Sequence, residues 1–303
     1  MEYNKFCVTV KEKVKEALSE SVSVEVRDIT KNNSVILQGL TINTAGENIS
    51  PTIYLNDFYE AYEHGMTMDT IVNEVVRIYR ENRIPDRMDV SFFTDFEKVK
   101  ERIAFKLVNF EKNEDLLKTV PHIRFLDLAI VFYYLMEDST MKCATILIHN
   151  DHAKSWGKDA DELWEIAKEN TPKLLNCEIK DIVEVLKDML GQSCDDFSEN
   201  DVLGIENSGG MFVLSNKSKV NGAACILYSD VLDEFADEQK ADLYILPSSV
   251  HEVIILPAKN SDDSPKLKQM VEEVNDTQLE EQEILSDNVY YYSRAEKKVV
   301  LCS

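Results

Sequence analysis

Seven of the twelve phenylalanines lie between residues 92 and 132, a stretch that holds the strand-like runs IAFKLVNF and RFLDLAIVFYYL. Rings in that number gain from folding only when they are buried. The stretch therefore reads as the interior of a folded body and argues against a domain boundary within it. At 303 residues the chain has room for one large domain or two smaller ones sharing a core. With 44% hydrophobic residues and only 9 Gly and 7 Pro, a disordered, collagen-like or low-complexity chain is excluded.

On either side of this core the periodicities alternate. Residues 3–19 place Phe6, Val10, Val14, Ala17 and Leu18 at helical spacing. VSVEVRDI and SVILQGLTI flank Lys31-Asn32-Asn33 and read as a β-hairpin. PTIYL then predicts a short strand, NDFYEAYEH a helix stopped by Gly65, and Thr67 to Asn82 a helix burying Ile71, Val75, Ile78 and Tyr79. CATILIHND is a strand entering a helix, and Asp159 with Glu162 forms a capping box for the next helix, which Pro172 should end. A further helix is expected with Ile179, Ile182, Val183, Leu186 and Leu190 on one face and Gly191 after it. FVLS and AACILY read as strands, VLDEFADEQ as a helix, DLYIL and VIIL as strands, KLKQMVEEVN as a helix, and VYYY with KKVVLC as a terminal strand pair. The expected class is α+β: mixed, largely antiparallel sheets with helices packed on them, in two lobes. Their bounds are 1–191 and 211–303, joined by an acidic linker over 192–210.

Charge narrows the partners. Asp and Glu number 56 against 33 Lys and Arg, a net charge of −23, and such a surface repels nucleic-acid phosphates and anionic lipid. Residues 194–206 hold five acids and no base, and residues 262–287 hold nine acids against two lysines. These segments suit solubility or a basic protein partner, and they are too discontinuous to mimic DNA. The first twenty residues lack the apolar core of a signal peptide, and the longest apolar run, residues 126–136, is far short of a membrane span. A cytosolic protein is expected, with Cys7, Cys143, Cys177, Cys194, Cys225 and Cys302 as reduced thiols filling core or surface.

P-loop, dinucleotide-binding and nucleophile-elbow signatures are all missing. His251-Glu252 opens like a zinc-protease motif, but Ile255 stands where the second histidine belongs, and the run is strand-like. What is left is Ser248, Ser249, His251 and Glu252 between Pro247 and Pro257. These residues offer a nucleophile and a base, or else the polar turn of a hairpin bonding its own backbone. His149, Asp151 and His152 carry metal-ligand chemistry, yet two imidazoles without an outer partner read as capping and surface groups. No metal or cofactor is expected. Arg77, Arg80, Arg83 and Arg87 could take a phosphate, but Glu74 and Glu81 interleave with them and favour a salt-bridged face. Asp57, Asp151 and Asp230 each follow an apolar run and precede a helix, a pattern that capping explains and a shared site would also produce.

The runs NISPTIYLNDFYEAY, FFTDFEKVKERIAFKLVNFEKNEDLL, PHIRFLDLAIVFYYL, ATILIHNDHAKSWG, GAACILYSDVLDEFA and DLYILPSSVHEVIILP together resemble an uncharacterised family. That family comprises clostridial and gut Firmicutes proteins known only as a numbered domain of unknown function. The resemblance implies a bacterial cytosolic protein and carries over no activity and no catalytic residue. Two functions follow as expectations. The first is a non-catalytic binding or adaptor protein whose acidic segments meet a basic partner. The alternative is a small-molecule hydrolase or transferase using Ser248, Ser249, His251 and Glu252.

Overall fold

The structure is a computed structural model that describes residues 1–18, 22–44, 50–83, 91–136, 145–190, 210–258 and 264–302. It divides into two compact units, Met1–Phe92 and Phe93–Ser303. The stretch 192–209 anticipated as a linker, together with Cys143, Cys194, Arg87 and Gly191, lies outside the described residues.

In the first unit, helix α1 (Tyr3–Leu18) packs on a hairpin of β1 (Val22–Thr30) and β2 (Ile36–Thr44). The hairpin pairs without a bulge from Val22↔Thr44 to Thr30↔Ile36. Its turn bends through left-handed Asn33 and Ser34, both at φ 59°. Strand β3 (Thr52–Tyr54) extends the sheet beside β2. Helix α2 (Asn56–Glu63) ends before Gly65, whose φ of +99° side chains avoid. Helix α3 (Met68–Asn82) opens on Thr67, whose hydroxyl accepts from the Thr70 N–H at 3.2 Å. Phe6, Val10, Val14, Leu40, Ile42, Ile71, Val75 and Tyr79 close the core. Ala17 is exposed and Ile78 only half-buried; α3 turns Val72 and Val76 inward beside Ile71, Val75 and Tyr79.

The second unit holds two sheets. The first centres on β6 (Leu128–Leu135), seven of whose eight residues are buried. It pairs on one side with β4 (Ile103–Asn109), and also with β5 (His122–Phe125) and β7 (Thr145–Leu147). Two short turns, α4 (Phe96–Val99) and α5 (Glu114–Leu117), lie before and after β4 in the chain; helix α6 (Asn150–Trp156) and helix α7 (Ala160–Leu174) follow, and α7 packs on β4. The Asp159–Glu162 capping box is present. Pro172 lies inside α7 rather than ending it; only the last turn follows, and the Leu175 N–H still reaches the Thr171 carbonyl at 2.8 Å.

The second sheet runs β13-β12-β10-β11-β9-β8: Lys298–Leu301, Tyr290–Ser293, Leu243–Leu246, Val253–Pro257, Phe212–Asn216 and Cys177–Asp181. Every strand pair among the described residues is antiparallel. The expected α+β class with largely antiparallel sheets is therefore what forms. Two elements differ from expectation. Cys177–Asp181 is strand β8, so Ile179 does not share the face of helix α8 (Ile182–Leu190). Gly222–Leu227, read as a strand, is a 3-10 helix entered through left-handed Asn221 at φ 53°. Its small residues Gly222, Ala223 and Ala224 are buried because they let this turn approach β9 and the 247–252 loop.

Candidate functional site

The Ser248–Glu252 window is the loop between β10 and β11, and the chain from 283 to 286 lies alongside it. The Ser248 and Pro247 carbonyls accept from the Leu285 and Ser286 N–H groups at 2.7 and 3.0 Å, and the Val250 N–H donates to the Glu283 carbonyl at 2.9 Å. Ser249 and Ile284 form an antiparallel bridge. Backbone pairing therefore fixes the loop, and the side chains add to it. The Ser249 hydroxyl is buried and accepts from the His251 N–H at 3.0 Å, while the Ser215 hydroxyl donates to the His251 carbonyl at 2.7 Å.

The imidazole is held at both nitrogens. The Asn221 N–H donates to His251 Nδ1 at 3.3 Å, which assigns the proton of the neutral ring to Nε2, and Nε2 lies 3.7 Å from Glu283 Oε1. A neutral imidazole has one lone pair in its plane, and here a backbone amide uses it. His251 and Glu283 are each over a third exposed, so their pairing is weak. Ser248 and Glu252 are half-buried, and their side chains have no hydrogen-bond partner among the described residues. The structure thus brings Ser249 and His251 together through the loop backbone and leaves Ser248 and Glu252 outside that arrangement. Asn221, Ser215 and Glu283, which sequence reasoning missed, complete it from 30, 36 and 32 residues away.

A second polar knot holds the chain just after this loop. Asp127 accepts from the Ser286 hydroxyl at 2.6 Å, the Asn288 amide at 2.9 Å and the Tyr290 hydroxyl at 2.6 Å. Burial, with the negative Asp127 beside it, pushes the Tyr290 hydroxyl well above the usual tyrosine range.

Two thiols meet at the β8 edge of the second sheet. Cys225, buried in the 3-10 helix, donates a hydrogen bond to Cys177 at the start of β8, and this holds the Cys177 thiol below its ordinary value despite burial. The same bond and burial push Cys225 up, and burial raises Tyr228, whose hydroxyl donates to the Leu175 carbonyl at 3.1 Å. Cys177 borders a cleft of about 310 Å³ with Phe212 and Phe235.

The other singled-out residues have local roles. His152 accepts the His149 N–H on Nδ1 at 3.1 Å, and its ring lies edge-on to Phe93 at 5.0 Å; burial, then His149, lowers its pKa. Among the described residues, no group of three or more His, Cys, Asp or Glu is placed to hold a metal ion. Arg77 bonds Glu74 and, at 2.6 Å, Glu81. Asp57 and Asp151 sit in first helical turns, and Asp230 is the N-cap of the Val231–Gln239 helix at φ 65°; none of the three helices takes a capping bond from these carboxylates.

The described residues form an α+β fold with three antiparallel sheets and a self-bonded polar loop at the candidate position. The chain belongs to a family of unknown function, DUF5688, whose model matches residues 3–294. No curated protein and no solved structure matches it. Among the described residues no helix is long and apolar enough to cross a membrane.

Proposed function

We propose that this protein is a non-catalytic binding protein that meets a basic protein partner through acids of its C-terminal helical segment. The observation that carries the reading is on the Ser264–Thr277 helix. Glu272, Glu273 and Asp276 are exposed there and have no cationic partner among the described residues. Several acids elsewhere are matched, among them Glu162 with Lys158 at 2.8 Å, Asp237 with Arg294 at 2.6 Å, and Asp233 with Lys297. Unmatched acids grouped on one helix steer a cationic surface and bind it in a salt-dependent way. The occupied lone pair of His251 adds support, because general-base chemistry needs it free.

The test is a pull-down with the parent chain and a Glu272→Lys/Glu273→Lys/Asp276→Lys variant at low and raised salt. The same identified basic protein should be retained by the parent, lost by the variant and released by salt, and the purified pair should repeat this. Equal retention by both chains refutes the reading. The hydrolase alternative has one observation on its side, Glu283 at 3.7 Å from His251 Nε2. It requires turnover of simple ester or amide substrates that His251→Ala abolishes.

A further inference from the structure

A cleft of about 670 Å³ in the second unit is lined on its rim by Lys118, Lys154 and Lys158, with His122 beside them. Its rim is cationic although acids outnumber bases 56 to 33 in the chain. Lys154 is exposed and has no carboxylate or hydrogen-bond partner among the described residues. Among the described residues the Lys118 ammonium pairs with Asp115 at 2.7 Å, with both side chains largely exposed, a pairing that a ligand anion exchanges readily. Lys158 is held in place by Glu162 at 2.8 Å and by the Phe96 ring, 5.3 Å below its ammonium.

The remaining groups shape the site, and one of them, Asp159, offsets part of its charge. Asp159, the one lining acid, accepts the Glu162 N–H at 2.9 Å as a helix cap. His122 Nδ1 lies 3.1 Å from the Val120 carbonyl and donates to it, so Nε2 is left without a protein partner among the described residues. The Asn150 amide and N–H reach the Lys118 and Thr119 carbonyls at 3.0 and 2.9 Å, which ties the two walls together and preforms the cleft. Val120, Pro121 and Ala153 are buried and give it an apolar floor.

Three ammonium groups over an apolar floor match a compact dianion attached to an apolar body. We propose that this cleft binds a small organic phosphomonoester, with its phosphate between Lys118 and Lys154 and its apolar part on Val120, Pro121 and Ala153. The site uses none of the acids assigned to the basic partner, so the two readings stand or fall separately. Against the long-range field of a chain at −23, only a locally concentrated cationic rim retains an anion.

Titration calorimetry on the full chain at low salt tests this, with phenyl phosphate, inorganic phosphate, benzoate and phosphatidic-acid vesicles as probes. Phenyl phosphate should bind saturably and about tenfold or more tighter than benzoate or inorganic phosphate. Lys154→Gln and Lys118→Gln should each weaken it about tenfold while melting with the parent, and Lys173→Gln, paired with Glu169 on α7 outside the lining, should leave it unchanged. Absence of saturable phenyl phosphate binding overturns the proposal. So does equal binding of benzoate, an equal effect of Lys173→Gln, or binding to the vesicles alone.

Discussion

Gly222→Ala should destabilise the Phe93–Ser303 unit more than any surface change, for reasons of space rather than backbone freedom. A Cβ on Gly222 would stand 2.1 Å from Ser215 Oγ, 2.3 Å from the His251 carbonyl oxygen and 2.9 Å from the Asn216 nitrogen. The second and third are backbone atoms, so a rotamer change cannot relieve the clash. Forcing a methyl into a closed site costs about 1–3 kcal/mol. Displacing the His251 carbonyl also strips the Ser215 hydroxyl of its acceptor, about 1 kcal/mol more. A loss of about 3 kcal/mol lowers the melting temperature of a unit this size by roughly 6–12 °C. Urea unfolding followed by tryptophan fluorescence suits the measurement, because Trp156 and Trp164 are the two tryptophans and both lie in this unit. Ser215→Ala alone should cost about 1 kcal/mol. The double variant should still lose most of the Gly222→Ala increment, because the clash with the His251 carbonyl persists. A Gly222→Ala chain within about 0.5 kcal/mol of the parent refutes the packing argument.

Three further outcomes follow from the same structure. Iodoacetamide at neutral pH should alkylate Cys177 well before Cys225, and Cys225→Ala should slow Cys177, because it removes the bond that stabilises the thiolate; peptide mapping reads both rates. Tyr228 and Tyr290 have folded pKa values above their unfolded ones, so the stability they contribute is intact below about pH 10 and is lost as pH rises beyond it. Their ionisation at 295 nm should therefore coincide with alkaline unfolding, and full tyrosinate absorbance in a folded chain would contradict this. Finally, the melting temperature should rise from low salt to about 0.2 M NaCl, where the screening length falls to about 10 Å or less. Replacing Glu272 and Glu273 by Gln and Asp276 by Asn should raise stability at low salt and flatten that dependence, whereas a falling parent curve would refute the repulsion argument.

Elements with strong local chemistry were legible in the sequence: the Asn33 turn, the Asp159–Glu162 box and the β4 to β6 core all stand where their residues predict. Short apolar runs were not. AACILY has no alternation to separate a strand from a turn of 3-10 helix, and Ile179 falls at helical spacing from Ile182 and Val183 by coincidence across a strand end. The polar loop was visible only as adjacent letters. What decides its chemistry is the Asn221 amide, the Ser215 hydroxyl and the Glu283 carboxylate, which reach it through sheet pairing and share no local pattern with it. The lysine cleft was illegible for the same reason, since Lys118 and Lys154 meet only after β5, β6 and β7 have paired.

The rung that joins Asp181 of β8 to Phe212 of β9 fixes the two ends of a thirty-residue excursion in the chain. Once that rung forms, the sheet is indifferent to the length of chain between its ends, and a doubled excursion adds only about 0.6 kcal/mol of closure entropy. The ladder then joins the two halves of the unit independently of chain continuity, together with the Asp127 bonds to Ser286, Asn288 and Tyr290. A backbone cut at any point within 192–209 would leave two fragments that five residue pairs from Cys177↔Asn216 to Asp181↔Phe212 still align, the arrangement from which a split, reassembling protein is made.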